Sequence, residues 1–180
     1  MQNPPLLPCQ TEPFRPIYHR IKAAMKGVIF LQRNNLSSSR FCPVLPDSGP
    51  APAVIPLSAA AKKNPTFRSA VWTGKHLQLT LMSIPVGECV GLEQHSHLDQ
   101  MLVIERGHAL VRMGFSRNSL TVRQSVSAGC AVLVPAGTWH NIINAGKQAL
   151  KLYSVYAPPQ HPHGTVHKTK SDSENSEQDS

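Results

Sequence analysis

Long apolar runs are missing from this sequence. The longest reach only a few residues, whereas a helix crossing a membrane needs about 20, so no stable insertion into a bilayer is expected. Glycine is sparse as well: 11 in 180 residues rules out a collagen-like repeat, which needs glycine at every third position. The four cysteines, Cys9, Cys42, Cys89 and Cys130, form no CxxC pair and lie far apart. No apolar core followed by a small-residue cleavage site stands near the start. The cysteines therefore read as free thiols in a reducing, cytoplasmic setting, with Cys89 and Cys130 as small buried hydrophobes. Acidic residues are also few, 10 against 18 Lys and Arg, which leaves a formal charge of +8.

A basic chain invites a nucleic-acid or anionic-membrane reading, which location must decide. Met1–Ala60 holds 6 basic and 2 acidic residues, Ala61–Lys170 holds 12 and 4, and Ser171–Ser180 holds 0 and 4. In the middle block the cations stand mostly singly, with Arg106, Arg112, Arg117 and Arg123 set among apolar residues. Aromatic residues make up 6% of the chain and are not interleaved with a basic cluster, as a stacking platform for bases would require. These cations read as a solvated face, and no nucleic-acid partner is expected.

What is present divides into three parts: 1–56, an extension; 57–170, a β-barrel with a C-terminal arm; and 171–180, an acidic tail without apolar residues, expected to be disordered. The extension is proline-rich and lacks strand alternation. Within it Ile17, Ile21, Met25, Val28 and Ile29 recur at helical spacing between Arg20, Lys22, Lys26 and Arg33, the pattern of one short basic amphipathic helix, a targeting or membrane-surface segment if it has a function. Leu57–Lys63 is a helix candidate that Asn64–Pro65 stops. After it His76–Ser83 alternates, with Leu77, Leu79 and Leu81 on one face and His76, Gln78 and Thr80 on the other. Further strand candidates follow at Met101–Ile104, Ala109–Met113, Leu120–Arg123, Ala131–Val134, Asn141–Ile143 and Leu150–Tyr156, with turn glycines such as Gly107, Gly129 and Gly137 between them. Short strands at near-regular spacing make an all-β, antiparallel sandwich or barrel.

Two segments inside this region carry chemistry. In the first, Gly87 is followed by Glu93, His95, Gln100 and Gly107. Residues two apart on an extended chain share a face, so Glu93 and His95 point together. In the second, Gly129 is followed by Pro135, Gly137, His140 and Asn144, so that a strand entered through the Pro135–Gly137 turn delivers His140 to the same interior. These segments resemble the paired motifs of the cupin superfamily, small antiparallel jelly-roll barrels that usually hold a divalent metal. The second, GCAVLVPAGTWHNIIN, fits the family pattern at every defined position. The first fits in spacing but has Glu93 where the family has histidine and Gln100 where it has glutamate.

The resemblance implies a barrel over about Asn64–Pro158 and metal corners at Glu93, His95, Gln100 and His140. Such a set retains one carboxylate but replaces an imidazole by a carboxamide oxygen, a poorer donor. It suits a divalent transition metal, Fe, Mn, Ni, Co or Zn, better than calcium. His97 shares a face with Glu93 and His95 and is expected at the barrel mouth. His161, His163 and His167 on the proline-rich arm are read as packing on the barrel or on a neighbouring subunit, with a second metal site as the weaker alternative. Asn144 reads as a turn residue or a group supporting the site.

Three functional readings follow. The first is a metal-dependent protein that binds or acts on a small oxygenated or sugar-like molecule, as a dioxygenase or isomerase if it is an enzyme, with Glu93 as a proton acceptor. The second is a non-catalytic sensor or storage barrel binding a small ligand through the metal. The third, a nucleic-acid binder, rests on the +8 charge alone. A homodimer is expected by analogy with the family, since small barrels need their edges covered.

Overall fold

The structure, a computed structural model, describes residues 44–178. The amphipathic segment 17–33 and most of the expected extension lie outside the described residues. Helix α1, Leu57–Lys63, forms where three consecutive alanines favour it. It ends at Asn64 because Pro65 disfavours a helical residue before it. Nine strands follow, β1 Arg68–Thr73, β2 Gln78–Ile84, β3 Asp99–Arg106, β4 His108–Gly114, β5 Val122–Ser127, β6 Ala131–Val134, β7 Trp139–Asn144, β8 Leu150–Ala157 and β9 Val166–His167, and then helix α2, Lys170–Gln178.

The strands form two antiparallel sheets, one of six strands in the order β6-β3-β8-β2-β1-β9 and one of three in the order β5-β4-β7. Isolated bridges Cys89↔Ile143 and Glu93↔His140 lay the segment between β2 and β3 against β7, which brings the first chemical motif to the second. Gly107 turns β3 into β4 with φ +100, a backbone that L side chains rarely adopt; a Cβ there would also meet the Leu150 Cα at 3.2 Å.

The register sorts the interior by chemistry. Across β2, β8 and β3 the aligned residues are Gln78↔Tyr156↔Gln100, then Thr80↔Ser154↔Leu102, then Met82↔Leu152↔Ile104. One end of the barrel is therefore polar inside and the other apolar. The apolar end packs Met82, Ile84, Ile104, Val111, Ile142, Leu150 and Leu152 into one cluster. Each such side chain contributes about 1.5–3 kcal/mol on burial. In β2 the polar members of the alternation, Gln78 and Thr80, face inward, while Leu79 and Leu81 face the other way. There they meet Val71, Tyr153, Ala61 of α1, and Leu45 and Ile55.

That outer layer includes residues from before α1. Residues 44–56 are strapped to β1: Trp72 Nε1 donates to the Ala51 carbonyl at 2.8 Å, and Asp47 accepts from Gly49 N, Thr73 Oγ1 and Gly164 N at 3.0, 2.6 and 3.0 Å. The C-terminal run follows β9. Its described part is helical over Lys170–Gln178, begun by Asp172 accepting from Lys168 N and Thr169 N at 2.9 and 3.0 Å. The reading of the central cations as solvated fails at two positions: Arg68 is 1% and Lys151 7% exposed, the latter donating to Asn64 O and to Ser83 Oγ at 2.5 and 2.6 Å.

Candidate metal centre

Glu93 and His140 are locked opposite each other by reciprocal backbone hydrogen bonds, Glu93 N to His140 O at 3.0 Å and His140 N to Glu93 O at 2.9 Å. His95 is held by its own carbonyl, which accepts from Gly137 N at 2.7 Å, so the Pro135–Gly137 turn fixes one motif against the other. The side chains converge as a result. His95 Nε2 lies 3.7 Å and His140 Nε2 3.8 Å from Glu93 Oε2, and one donor atom from each of the three residues falls within 4.8 Å of the others.

Their chemistry suits a cation. Both Nε2 atoms are buried and lack a hydrogen-bond partner, an expensive arrangement unless something else meets their lone pairs. His140 Nδ1 faces the Thr138 carbonyl at 3.2 Å, which places the proton on Nδ1 and leaves Nε2 to coordinate. Burial pushes the His140 pKa down despite the pull of Glu93, so the ring is neutral near pH 7. For Glu93, burial works upward, but the approach of His95 and the charge of Arg68 outweigh it and hold the carboxyl below its ordinary value. A carboxylate and two imidazole nitrogens are ready-made ligands for a borderline divalent metal. The residues present fit the group that the resemblance implies.

The other residues singled out in the sequence separate. Gln100 is buried, donates through Nε2 to Ser154 Oγ at 2.9 Å, and leaves Oε1 buried without a partner. His97 is exposed beside Ser96 and is not among the clustered ligand atoms. Asn144 serves the turn, donating to Ile84 O and Gln148 O and accepting from Gly146 N, each at 2.9 Å. The interior around the candidate site carries a polar row, Gln78, Tyr156, Gln100, Thr80 and Ser154, while Met82, Ile104 and Leu152 pack further along the same strands. The arm histidines pack on the barrel but part company: His161 meets Tyr156 edge-on at 5.2 Å, His163 faces Gly49 O at 2.9 Å on the outside, and His167 lies 6.4 Å from His161. Among the described residues no second cluster of metal-ligating groups forms. Cys89 and Cys130 are half-buried free thiols rather than core residues, and Lys170 Nζ reaches Cys89 Sγ at 3.6 Å.

Sequence reasoning missed Arg68. It rises from β1 into the interior, places Nη2 3.4 Å from Glu93 Oε1, and donates from Nη1 to Ser173 Oγ at 2.8 Å. It missed Tyr156, 0% exposed, and the approach of His161, whose pKa burial and then Arg68 press down to about 3. The inward polar row that β2 alternation puts at Gln78 and Thr80 was the available signal, because a row of polar residues on a buried face needs polar neighbours.

Comparison with known proteins completes this picture. Residues 80–156 match the model of the cupin domain. The chain is 55% identical over 129 residues to the uncharacterized protein YrkC of Bacillus subtilis (strain 168), covering 72% of this chain and 69% of that one. The chain belongs to the cupin family. This cupin is also 39% identical over 105 residues to the uncharacterized protein L612 of Acanthamoeba polyphaga mimivirus, 58% of this chain and 64% of that one. Among solved structures, BH2720 from Bacillus halodurans is 54% identical and superposes with a TM-score of 0.72, covering 73% of the cupin described here and 99% of its own chain. BH2720 shares the fold as well as the sequence. Function has to be argued from the site. In none of the described helices is there a segment long and apolar enough to cross a membrane.

Proposed function

We propose that this cupin holds a divalent transition metal through Glu93, His95 and His140, with Gln100 Oε1 as the fourth donor, and uses it to bind or transform a small oxygenated molecule. The observation that carries the reading is the convergence of three ligand atoms within 4.8 Å, two of them buried imidazole nitrogens without any other partner. A bound metal would supply Lewis acidity or a site for oxygen. The chain's own residues do the rest. The Arg68 guanidinium helps keep Glu93 ionised, so it can coordinate or accept a proton; the Thr138 carbonyl fixes the His140 tautomer; and the buried hydroxyl of Tyr156 presents a hydrogen-bonding group to an oxygenated ligand.

Elemental analysis tests this. The purified protein should carry about one transition metal per chain, and the His140→Ala variant, which removes the least exposed ligand, should lose most of it. Unchanged metal in His140→Ala would reject the assignment. An oxygen-consumption screen then separates activities: iron with substrate-linked oxygen uptake supports a dioxygenase, whereas zinc or nickel without uptake supports an isomerase or a binding role. We further propose a homodimer, since Leu133 on edge strand β6 is 66% exposed and would be covered by a second copy.

A further inference from the structure

The three-stranded sheet β5-β4-β7 carries charge of one sign. Between Glu105 and Asp172 the sequence has no Asp or Glu, so these strands and the hairpin joining β4 to β5 hold Arg112, Arg117 and Arg123 with no acid among them. All three are exposed. Arg112 lies directly across from Arg123 in the β4–β5 ladder, with Asn141 of β7 on its other side, and like charges facing each other across a strand pair are unfavourable. The acids of 88–99 are engaged elsewhere: Glu93 faces the interior site, Asp99 accepts from Ala136 N at 2.9 Å, and Glu88 lies at the other end of β7 beside Asn144. Among the described residues none of the three arginines forms an ion pair.

The hairpin carries an aromatic ring at its tip. Gly114 ends β4 where a Cβ would meet the Leu120 Cα at 2.8 Å, so the two limbs of the hairpin approach closely. Beyond it Ser119 N donates to Ser116 O at 3.0 Å around Arg117 and Asn118. In this tight turn Phe115 is 87% exposed and therefore buries almost no apolar area on folding. Two residues on, the Arg117 guanidinium sits 5.5 Å from the centroid of the Trp139 ring.

We propose that the β4–β5 hairpin and the outer face of this sheet dock on an anionic membrane surface, with Phe115 entering the headgroup boundary and Arg112, Arg117 and Arg123 meeting the charged headgroups. Interfacial binding needs this pairing of an apolar ring that partitions into the boundary with cations that meet anionic lipid. A single-stranded nucleic acid fits less well. It needs rings open to base stacking among the cations, and Trp139 already has the Arg117 guanidinium over it. The inference is independent of the metal reading: Arg112 and Trp139 alternate along their strands with the inward Val111 and His140, so the docking face is the outside of the sheet. The basic pattern of 17–33 in the sequence would add to the same attraction, which is why the test alters the hairpin alone in the full-length chain.

Vesicle flotation supplies that test, with phosphatidylcholine vesicles alone and with phosphatidylserine added, in low and high salt. Wild type should float with the phosphatidylserine vesicles, stay behind with phosphatidylcholine alone, and release as salt screens the attraction. An arginine near such a surface is worth about fivefold in affinity, so Arg112→Gln combined with Arg123→Gln should bind about 25-fold more weakly. That variant should stay folded with a Tm no lower than that of wild type, because the facing charges are gone. Phe115→Ser should weaken binding without changing its salt dependence, since the ring carries no charge. Failure of wild type to bind the phosphatidylserine vesicles, undiminished binding by either variant, or tighter binding of wild type to a single-stranded RNA than to the vesicles at the same salt would overturn the proposal.

Discussion

The two ends of this barrel are built from the same strands and do different things. Along β8, Leu150 and Leu152 face the apolar cluster, and two residues on, Ser154 and Tyr156 face Gln100 and Thr80. At the apolar end the side chains of the cluster interlock at 0–6% exposure. The polar end concentrates buried atoms without hydrogen-bond partners: His95 Nε2, His140 Nε2 and Gln100 Oε1. Such atoms cost stability. The apolar end thus supplies stability and the polar end spends it on a site, a division that substitutions at each end can break or sharpen.

The largest effect belongs to the apolar end. Leu152→Ala, at a position 0% exposed, should cost about 2–5 kcal/mol in urea unfolding while the folded fraction keeps its metal; loss of metal at unchanged stability would show that the ends are not separable. A pH effect comes next, from the polar end. The folded His161 takes a proton only near pH 3, its pKa pressed down first by burial and then by Arg68, whereas in the unfolded chain it does so near 6.5. Between those values the unfolded state binds the extra proton, so stability is full above about pH 6.5 and falls as the pH drops toward 3. His140 and His167 are shifted in the same direction. Urea midpoints at pH 7 and pH 5 should therefore differ in wild type and differ less in His161→Gln; equal slopes would contradict the burial of that ring. The smallest effect is local. Gly107→Ala, at φ +100 against Leu150, should cost about 1–2 kcal/mol and leave metal content unchanged.

Much of this was legible in the residues. The Asn64–Pro65 stop placed the end of α1 where it is observed, and AVLV placed β6 at Ala131–Val134. That Glu93 and His95 share a face and that His140 points inward came from spacing, because the constraint is local: alternate residues on extended chain, and a turn before His140; their role as metal corners came from the resemblance to the cupin motifs. What stayed hidden depends on contacts remote in sequence. Strand β1 reads poorly since its first inward residue is Arg68, and a charged residue on a buried face makes sense only with partners remote in sequence, such as Glu93 and Ser173, 25 and 105 positions away. Residues 44–56 look like linker until Val71 and Leu81 are seen to need a cover. Helix α2 has no amphipathic pattern to detect, because it docks by hydroxyls rather than by a hydrophobic stripe.

X-ray absorption on the metal-loaded protein tests the central claim most directly, that Glu93, His95 and His140 surround one ion. The account predicts nearest neighbours of nitrogen and oxygen at about 2.0–2.2 Å with the longer-range scattering of two imidazoles, falling to one in His95→Ala. Oxygen neighbours alone, or imidazole scattering unchanged in that variant, would contradict it.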